Sequence, residues 1–125
     1  MDCLFCKMIA GEVPSRKIYE DDKVIAILDA FPNVDGHTLI IPKKHYTDFL
    51  EMPDELIKHI NGVCKKIAPI LIKKINAESF SMRVNYGTMQ AIKHYHLHLL
   101  PDYDIKKKAT KKPEEIYELL KKITF

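Results

Sequence analysis

The sequence predicts an α+β domain: a five-stranded, mainly antiparallel sheet with one long central helix, a short N-terminal helix and a C-terminal helix. Short apolar runs separated by turn residues predict consecutive hairpins. One long segment and two shorter terminal segments carry apolar residues at helical spacing. The chain has 125 residues, 46% of them hydrophobic, which is enough for one domain with one core.

The two terminal helices are predicted from apolar spacing and from their end signals. Apolar residues within 3–10 recur at helical intervals, and Gly11 ends the pattern. Pro113 suits the first turn of the last helix, and the two acids that follow it suit the same turn. One face of that helix is apolar and consists of Ile116, Leu119, Leu120 and Ile123.

The central helix is predicted over residues 53–75. Pro53 suits its first turn, and one apolar face steps by three or four residues through Leu56, Ile60, Val63, Ile67, Leu71 and Ile75. Pro69 lies inside this pattern and removes one helix hydrogen bond. We therefore expect a kink or a break near Pro69.

Five segments predict strands, with turn residues between them. The strands are Lys17–Tyr19, Val24–Leu28, His37–Ile41, Ser79–Asn85 and Tyr95–Leu99. The intervening turns and loops are predicted at 21–22, 31–36 and 86–89, because Asp, Asn, Gly and Pro cluster there.

The composition excludes several classes of protein. No apolar run approaches the roughly 20 residues that a membrane span needs, and the first residues are acidic rather than basic, unlike a secretory signal. The odd set Cys3, Cys6 and Cys64 argues against a disulfide framework. We expect a cytoplasmic protein without a membrane partner.

The net charge of +3 is unevenly spread, because lysines cluster late in the chain. We divide the chain into a main domain over 1–105 and a lysine-rich linker with a C-terminal helix over 106–125, packed on the same domain. A basic cluster can bind nucleic acid, but charge runs are usually solvated, and no aromatic residues interleave with this one. We expect no nucleic-acid partner. The cluster comprises Lys106, Lys107, Lys108, Lys111 and Lys112.

Three histidines alternate at positions 94, 96 and 98 of the last predicted strand. In a strand alternate side chains share a face, so Tyr95, Leu97 and Leu99 take the other face and cover the core. We expect the imidazole face to lie outside the core, because three buried imidazoles would each need partners. Imidazoles on one face can ligate a metal or act as nucleophile and proton donor.

Two other motifs are open to more than one interpretation. Cys3-x-x-Cys6 has the spacing of half a zinc site, but it also fits two ordinary reduced thiols. Asp29 can bind hydroxyl groups or simply start the turn before Phe31-Pro32.

The histidine strand and several other segments, in order, resemble one known family. His94–Leu100 is similar to the H-φ-H-φ-H-φ-φ signature, where φ is hydrophobic, of the histidine-triad (HIT) nucleotide hydrolases. Residues 36–45, Gly-His-Thr-Leu-Ile-Ile-Pro-Lys-Lys-His, resemble the central segment of that family. The opening Phe5-Cys6-Lys7 and the segment 19–22 also agree, so the resemblance covers residues 3–101.

The resemblance implies a role for each histidine. His96 would attack the α-phosphorus of a nucleotide and form a nucleotidyl-histidine intermediate, while the His94 carbonyl holds its other ring nitrogen. His98 would stabilise charge on the phosphate, and a histidine at this position rather than Gln points to the hydrolase branches. His37 would lie behind the triad and adjust the pKa or the orientation of its rings. The implied reaction releases a nucleoside 5′-monophosphate from an amine or phosphate leaving group.

The resemblance also implies a purine nucleotide site. Asp29 matches the acid that binds the ribose hydroxyls, and Asn85 matches a residue that contacts phosphate. Base-pocket positions match Phe5, Ile27 and Ala30, together with Leu4, Met8 and Leu39.

The loop before the triad departs from the family pattern. Gln90 is retained, but Met89 replaces a glycine and Ala91 replaces a serine or threonine that helps the leaving group depart. We assign all three loop residues to the nucleotide site and expect a slow phosphoramidase. Loss of one such hydrogen bond costs about 10² to 10³ in rate.

The resemblance extends to a structural zinc and a partner. Some bacterial members complete a zinc site from a CxxC pair and two histidines, which here are Cys3, Cys6, His45 and His94. The family is usually a homodimer that continues the sheet or packs the long helix across a two-fold axis. Two alternatives stay open: a nucleotide-binding or scaffold protein with weak catalysis, and a catalytic metal held by the three alternating histidines.

Overall fold

The computed structural model describes residues 3–103 and 108–120. It contains one five-stranded sheet in the order β1-β2-β3-β5-β4, with every pair antiparallel. The α+β fold predicted from the sequence is confirmed. The elements are α1 (Leu4–Ile9), β1 (Arg16–Glu20), β2 (Val24–Leu28), β3 (Thr38–Pro42), α2 (Asp54–Ile75), β4 (Phe80–Val84), a 3₁₀ turn (Gly87–Met89), β5 (Leu97–Pro101) and α3 (Pro113–Leu120).

The sheet separates two apolar layers, because its interior strands β2 and β3 are buried on both faces. On β2, Val24 and Ala26 join the main core with α2 and α3. Ile25 and Ile27 face the opposite way and pack with Phe5 of α1 in a second cluster. This alternation follows the two-residue period of a strand. The second layer contributes Phe5, Ile27 and Leu39 to the wall of the candidate site.

Helix α2 runs without interruption through Pro69, so the break expected there is not present. Pro69 is exposed, and the carbonyl that it leaves without a helix partner belongs to Lys65, which is also exposed. Water can satisfy a carbonyl on this face, so the apolar face continues undisturbed. The helix ends at Asn76, whose φ of 58° gives a left-handed C-cap.

The segment that carries the triad is less regular than the sequence predicts. β4 ends at Val84, residues 85–96 form a loop, and β5 begins only at Leu97. The predicted short turn over 86–89 is therefore the start of a longer loop. Only His98 of the three histidines lies in the strand, while His94 and His96 precede it. The predicted core face is correct, since Tyr95, Leu97 and Leu99 all lie in the main core.

Helix α3 packs on the same core as α2 through Ile116 and Leu120. It also contacts β1, where Glu114 forms an ion pair with Arg16. The proposed boundary at 105/106, the lysines at 106 and 107, and Ile123 lie outside the described residues. The described lysines of the cluster, at 108, 111 and 112, are exposed. In the described part of the chain, no helix has the length and apolarity to cross a membrane.

Candidate active site and metal centre

A cavity of about 310 Å³ opens on the α1 side of the sheet. Its walls are mainly apolar, and its polar end contains Asp29, His96 and His98. The full lining comprises Leu4, Phe5, Met8, Pro14, Ser15, Arg16, Ile27, Leu28, Asp29, Ala30, Phe31, Leu39, Ala91, Ile92, His96 and His98. An apolar cleft with a few convergent polar groups is typical of a small-molecule site.

His96 is held in one tautomer. Its Nδ1 lies 2.8 Å from the carbonyl oxygen of His94, and a carbonyl can only accept, so Nδ1 carries the proton. Nε2 is left with its lone pair. Burial lowers the pKa of His96, although the hydrogen bond to His94 and the charge of Asp29 oppose this effect. The ring is therefore a neutral imidazole with one nitrogen available as a nucleophile.

His37 and His98 form a second ordered pair. The backbone N–H of Asn33 donates to Nδ1 of His37 at 3.1 Å, so Nε2 of His37 carries the proton. That Nε2 lies 2.9 Å from Nδ1 of His98 and donates to it. The proton of His98 must then be on its Nε2, which is buried and has no hydrogen-bond partner among the described residues. His98, which also lines the cavity, thus has a donor that lacks an acceptor among the described residues.

Asp29 divides its two carboxylate oxygens between the turn and the cavity. Oδ1 accepts the backbone N–H of Phe31 at 2.9 Å, which is the turn interaction expected of an Asp at this position. Oδ2 lies 3.6 Å from Nε2 of His37. The turn interpretation of Asp29 is therefore correct, and the same residue also lines the cavity.

The nucleotide-binding residues proposed from the sequence are only partly brought together. Phe5, Ile27, Ala30 and Ala91 line the cavity with Asp29 and the two histidines, but Asn85, Met89 and Gln90 do not. The Gln90 side chain instead donates to the carbonyl oxygen of Thr47 at 2.6 Å, and Met89 is 68% exposed.

Sequence reasoning missed several cavity residues: Pro14, Ser15, Arg16, Leu28, Phe31 and Ile92. Phe31 is 89% exposed, and an aromatic residue in a polar turn is a signal that could have been used. Ser15 and Arg16 carry no such signal, because their position beside the cavity depends on how β1 approaches α1.

A second cluster lies beside the first and contains Cys3, Cys6, His45 and His94, whose ligand atoms lie within 4.8 Å of one another. Nδ1 of His94 is 3.3 Å from Sγ of Cys3, and Nδ1 of His45 is 3.3 Å from Sγ of Cys6. His94 donates from Nε2 to the Pro42 carbonyl at 2.8 Å, so its Nδ1 lone pair faces the sulfurs. Two thiols and two imidazoles at these distances fit one tetrahedral metal ion.

The expectation that the imidazole face lies outside the core is wrong for His94 and His96, whereas His98 is only half-buried. His94 has no exposed surface and His96 is 6% exposed. Burial is tolerated because each ring has a polar partner in the sheet or in the adjacent loop. The three histidines also do not form one metal site, because His94 belongs to the cysteine cluster and His98 is hydrogen-bonded to His37.

Comparisons with known proteins agree with this geometry. The family model described as the HIT domain matches residues 10–105, and the chain belongs to that family. An uncharacterised HIT-like protein of Methanocaldococcus jannaschii is 41% identical, with 97% of this chain and 98% of that protein covered. The adenylylsulfatase HINT3 of Arabidopsis thaliana is also 41% identical, over 80% of this chain and 52% of that protein.

A solved structure extends the likeness to the fold. The zinc-bound histidine triad family protein from Mycobacterium smegmatis superposes with a TM-score of 0.87 at 33% identity. The alignment covers 97% of this chain and 91% of that one. HIT-family membership, inferred from motifs in the sequence, is therefore confirmed.

The pairing of His37 with His98 predicts that His98 protonates at an unusually low pH. Burial, together with the neighbouring His96 and His37, lowers the pKa of His98 from 6.5 to about 4. Between these pH values the unfolded chain binds this proton and the folded chain does not, so stability falls as the pH falls through that window. Histidine NMR titration should show His98 protonating near pH 4. Protonation near pH 6.5 would contradict the assigned tautomers.

Proposed function

We propose that this protein is a nucleotide hydrolase that cleaves a nucleoside 5′-monophosphate from an amine or phosphate leaving group. One observation carries the proposal: a neutral His96 with Nδ1 held by a carbonyl stands beside an unpartnered Nε2–H donor of His98. A nucleophile next to a donor for a charged oxygen is what phosphoryl transfer needs.

The cavity supports a purine nucleotide as the bound group. Phe5, Ile27 and Leu39 give an apolar slot for a base, and Asp29 offers carboxylate acceptors for the ribose hydroxyls. The α-phosphate would then lie at the end where His96 and His98 meet. Phe5 also packs edge-on to the His96 ring, with centroids 5.0 Å apart, so the base slot and the nucleophile share a wall.

The reaction takes two steps. Nε2 of His96 attacks the α-phosphorus, an N–P bond forms, and the bond to the leaving group breaks with its electron pair. His98 Nε2–H donates to a nonbridging oxygen as negative charge grows. In the second step water attacks the phosphorus, an O–P bond forms, and the N–P bond breaks with its electron pair returning to Nε2 of His96. The attacking water loses a proton to solvent, the nucleoside monophosphate is released, and His96 is neutral again.

Ala91 lines the cavity where the family carries a hydroxyl residue, so this chain has no side-chain hydroxyl at that position. An amine leaving group must gain a proton as it departs, whereas phosphate or sulfate leaves as a stable anion. The name of the Arabidopsis relative, an adenylylsulfatase, fits the second kind of group. We infer that anionic leaving groups are cleaved faster than amines here.

Ala91 also favours the second candidate function, a nucleotide-binding or scaffold protein with weak catalysis. Both candidates bind nucleotide, but only the hydrolase turns its substrate over rapidly. A single assay that measures both properties therefore separates them.

We predict that His96→Ala abolishes turnover of adenosine phosphoramidate and of adenosine 5′-phosphosulfate while AMP binding persists. The variant lacks the attacking nitrogen but keeps the cavity walls. Turnover is measured by product chromatography, and binding by calorimetry. His59→Ala is the matched control, because His59 lies outside the cavity and contacts Asp21.

Two outcomes would contradict this assignment. Retained turnover in His96→Ala would overturn the nucleophile. If wild type bound AMP but turned over neither substrate, the scaffold candidate would replace the hydrolase.

A structural zinc at the Cys3, Cys6, His45 and His94 cluster is the second part of the proposal. All four protein ligands together leave no open position, which is typical of structural rather than catalytic zinc. Cys3 caps α1 and Cys6 lies within it, so the ion would anchor the helix that supplies Phe5 to the cavity. Two reduced thiols also fit the cytoplasmic location that we propose.

Protein purified without chelators should hold about one zinc per chain. Cys3→Ser should lose it, because a serine oxygen is a far poorer zinc ligand than a thiolate. Metal content is measured by plasma mass spectrometry. Cys64→Ala serves as the control, because Cys64 is a buried thiol of the main core and should leave zinc unchanged. A metal-free wild type would refute the site.

The third part of the proposal is a homodimer formed through β4. This strand is an edge of the sheet, and Met82, Val84 and the following Tyr86 expose 49%, 38% and 55% of their surface. The other edge, β1, is contacted by α3. An open edge with exposed apolar side chains can pair with a second copy and continue the sheet.

Sedimentation velocity should show a dimer for wild type and a monomer for the double variant Met82→Lys, Val84→Lys, because charge at the edge opposes pairing. Leu119→Lys, on an exposed position of α3, should remain dimeric. Wild type that sediments only as a monomer would overturn this part of the proposal.

A further inference from the structure

We infer that residues 108–116 act as a clasp that positions the ribose-binding Asp29, and that Asp35 is the positioning residue. The inference rests on the proposed function, since it concerns how nucleotide is held. We call residues 29–36 the ribose loop and residues 108–116 the C-terminal clasp.

Asp35 joins the ribose loop to the C-terminal clasp with three hydrogen bonds. Its Oδ1 accepts the backbone N–H groups of Thr110 and Lys111 at 2.9 and 3.0 Å. Its Oδ2 accepts the hydroxyl of Thr110 at 2.7 Å. A carboxylate that accepts three donors from one segment is a strong local attachment, because hydrogen bonds to charged groups are stronger than neutral ones.

Packing reinforces this attachment. Pro113 and Ile116 line a cavity of only about 10 Å³ together with Pro32 and Val34 of the ribose loop. In the first turn of α3, Glu114 pairs with Arg16, which itself lines the nucleotide cavity. The clasp therefore contacts the site at two places: the ribose loop, through Asp35, and the cavity wall, through Arg16.

The other side of the ribose loop is held by a close approach. Gly36 has a φ of +81°, and a Cβ atom placed there would lie 3.1 Å from Cγ1 of Ile75 and 3.4 Å from Cγ of Pro101. Glycine is needed for both reasons. The loop is thus wedged between the end of α2 and the C-terminal clasp, and Asp35 is its polar anchor on the clasp side.

The position of this loop affects two functional groups. Asp29 begins the loop and offers its carboxylate to the cavity. The Asn33 N–H fixes the tautomer of His37, which in turn sets the tautomer of His98. A displaced loop would therefore first weaken the contact with the ribose hydroxyls. The HIT family model matches residues 10–105, so the clasp lies outside the part that this model matches.

The test compares the affinity for AMP with that for 2′,3′-dideoxy-AMP, which lacks the hydroxyls that Asp29 would bind. Wild type should prefer AMP by roughly tenfold, and Asp35→Ala should bring the ratio close to one. Binding of the dideoxy nucleotide should change by less than about twofold, because the base and phosphate contacts remain. Asp35→Asn should retain most of the preference, since its amide oxygen still accepts the two N–H groups.

A double-mutant cycle separates positioning from general stability. Asp29→Ala should remove the preference, and adding Asp35→Ala should change the ratio no further. Asp22→Ala, an exposed acid on the first hairpin, is the charge-matched control and should behave as wild type. If Asp35→Ala does not fold, Thr110→Val deletes one of the three hydrogen bonds without changing charge and should lower the ratio partway.

The outcomes are distinguishable. Equal weakening of both nucleotides in a folded Asp35→Ala variant, or an unchanged ratio, would overturn the clasp while leaving the nucleotide site intact. Absence of AMP binding by wild type would overturn the proposed function and the clasp together.

Discussion

The hydrogen bond from Nδ1 of His96 to the carbonyl oxygen of His94 joins the two clusters on which the site depends. It sets the tautomer of His96, the proposed nucleophile, while the ring of His94 turns its own lone pair toward the cysteines. His94 thus contributes to both the proposed metal centre and the proposed catalytic site. Such a link explains why His94 can be fully buried, since every polar atom of its ring has a partner.

The sheet places these buried rings on the side opposite the main core. β2 and β3 are buried on both faces, so one side of the sheet can pack α2 while the other receives α1 and the cavity. Phe5 connects the second apolar cluster to the two histidines, because its ring contacts both His94 and His96 edge-on. Anchoring of α1 by Cys3 and Cys6 is then part of how the cavity keeps its shape.

The pair His37–His98 shows how burial determines the protonation state of these rings. An ordinary histidine would be partly charged near neutral pH, but burial lowers the pKa of both rings. Neutral rings can form a series of hydrogen bonds from donor to acceptor, and this series ends in the Nε2–H of His98, which has no acceptor among the described residues. The same series begins at a backbone N–H of the ribose loop, so loop position and donor orientation are physically connected.

Much of the fold was predictable from the sequence, because helix and strand periods, capping residues and turn residues act over a few neighbouring positions. The order of motifs also indicated the family, which is confirmed. Tertiary structure alone decided the tautomers, the burial of His94 and His96 and the absence of Asn85 from the cavity. The bond between His37 and His98 spans 61 positions, and those from Asp35 to the clasp span 75 or more. No local pattern encodes such pairs, since they arise only when the packed sheet and helices bring distant segments together.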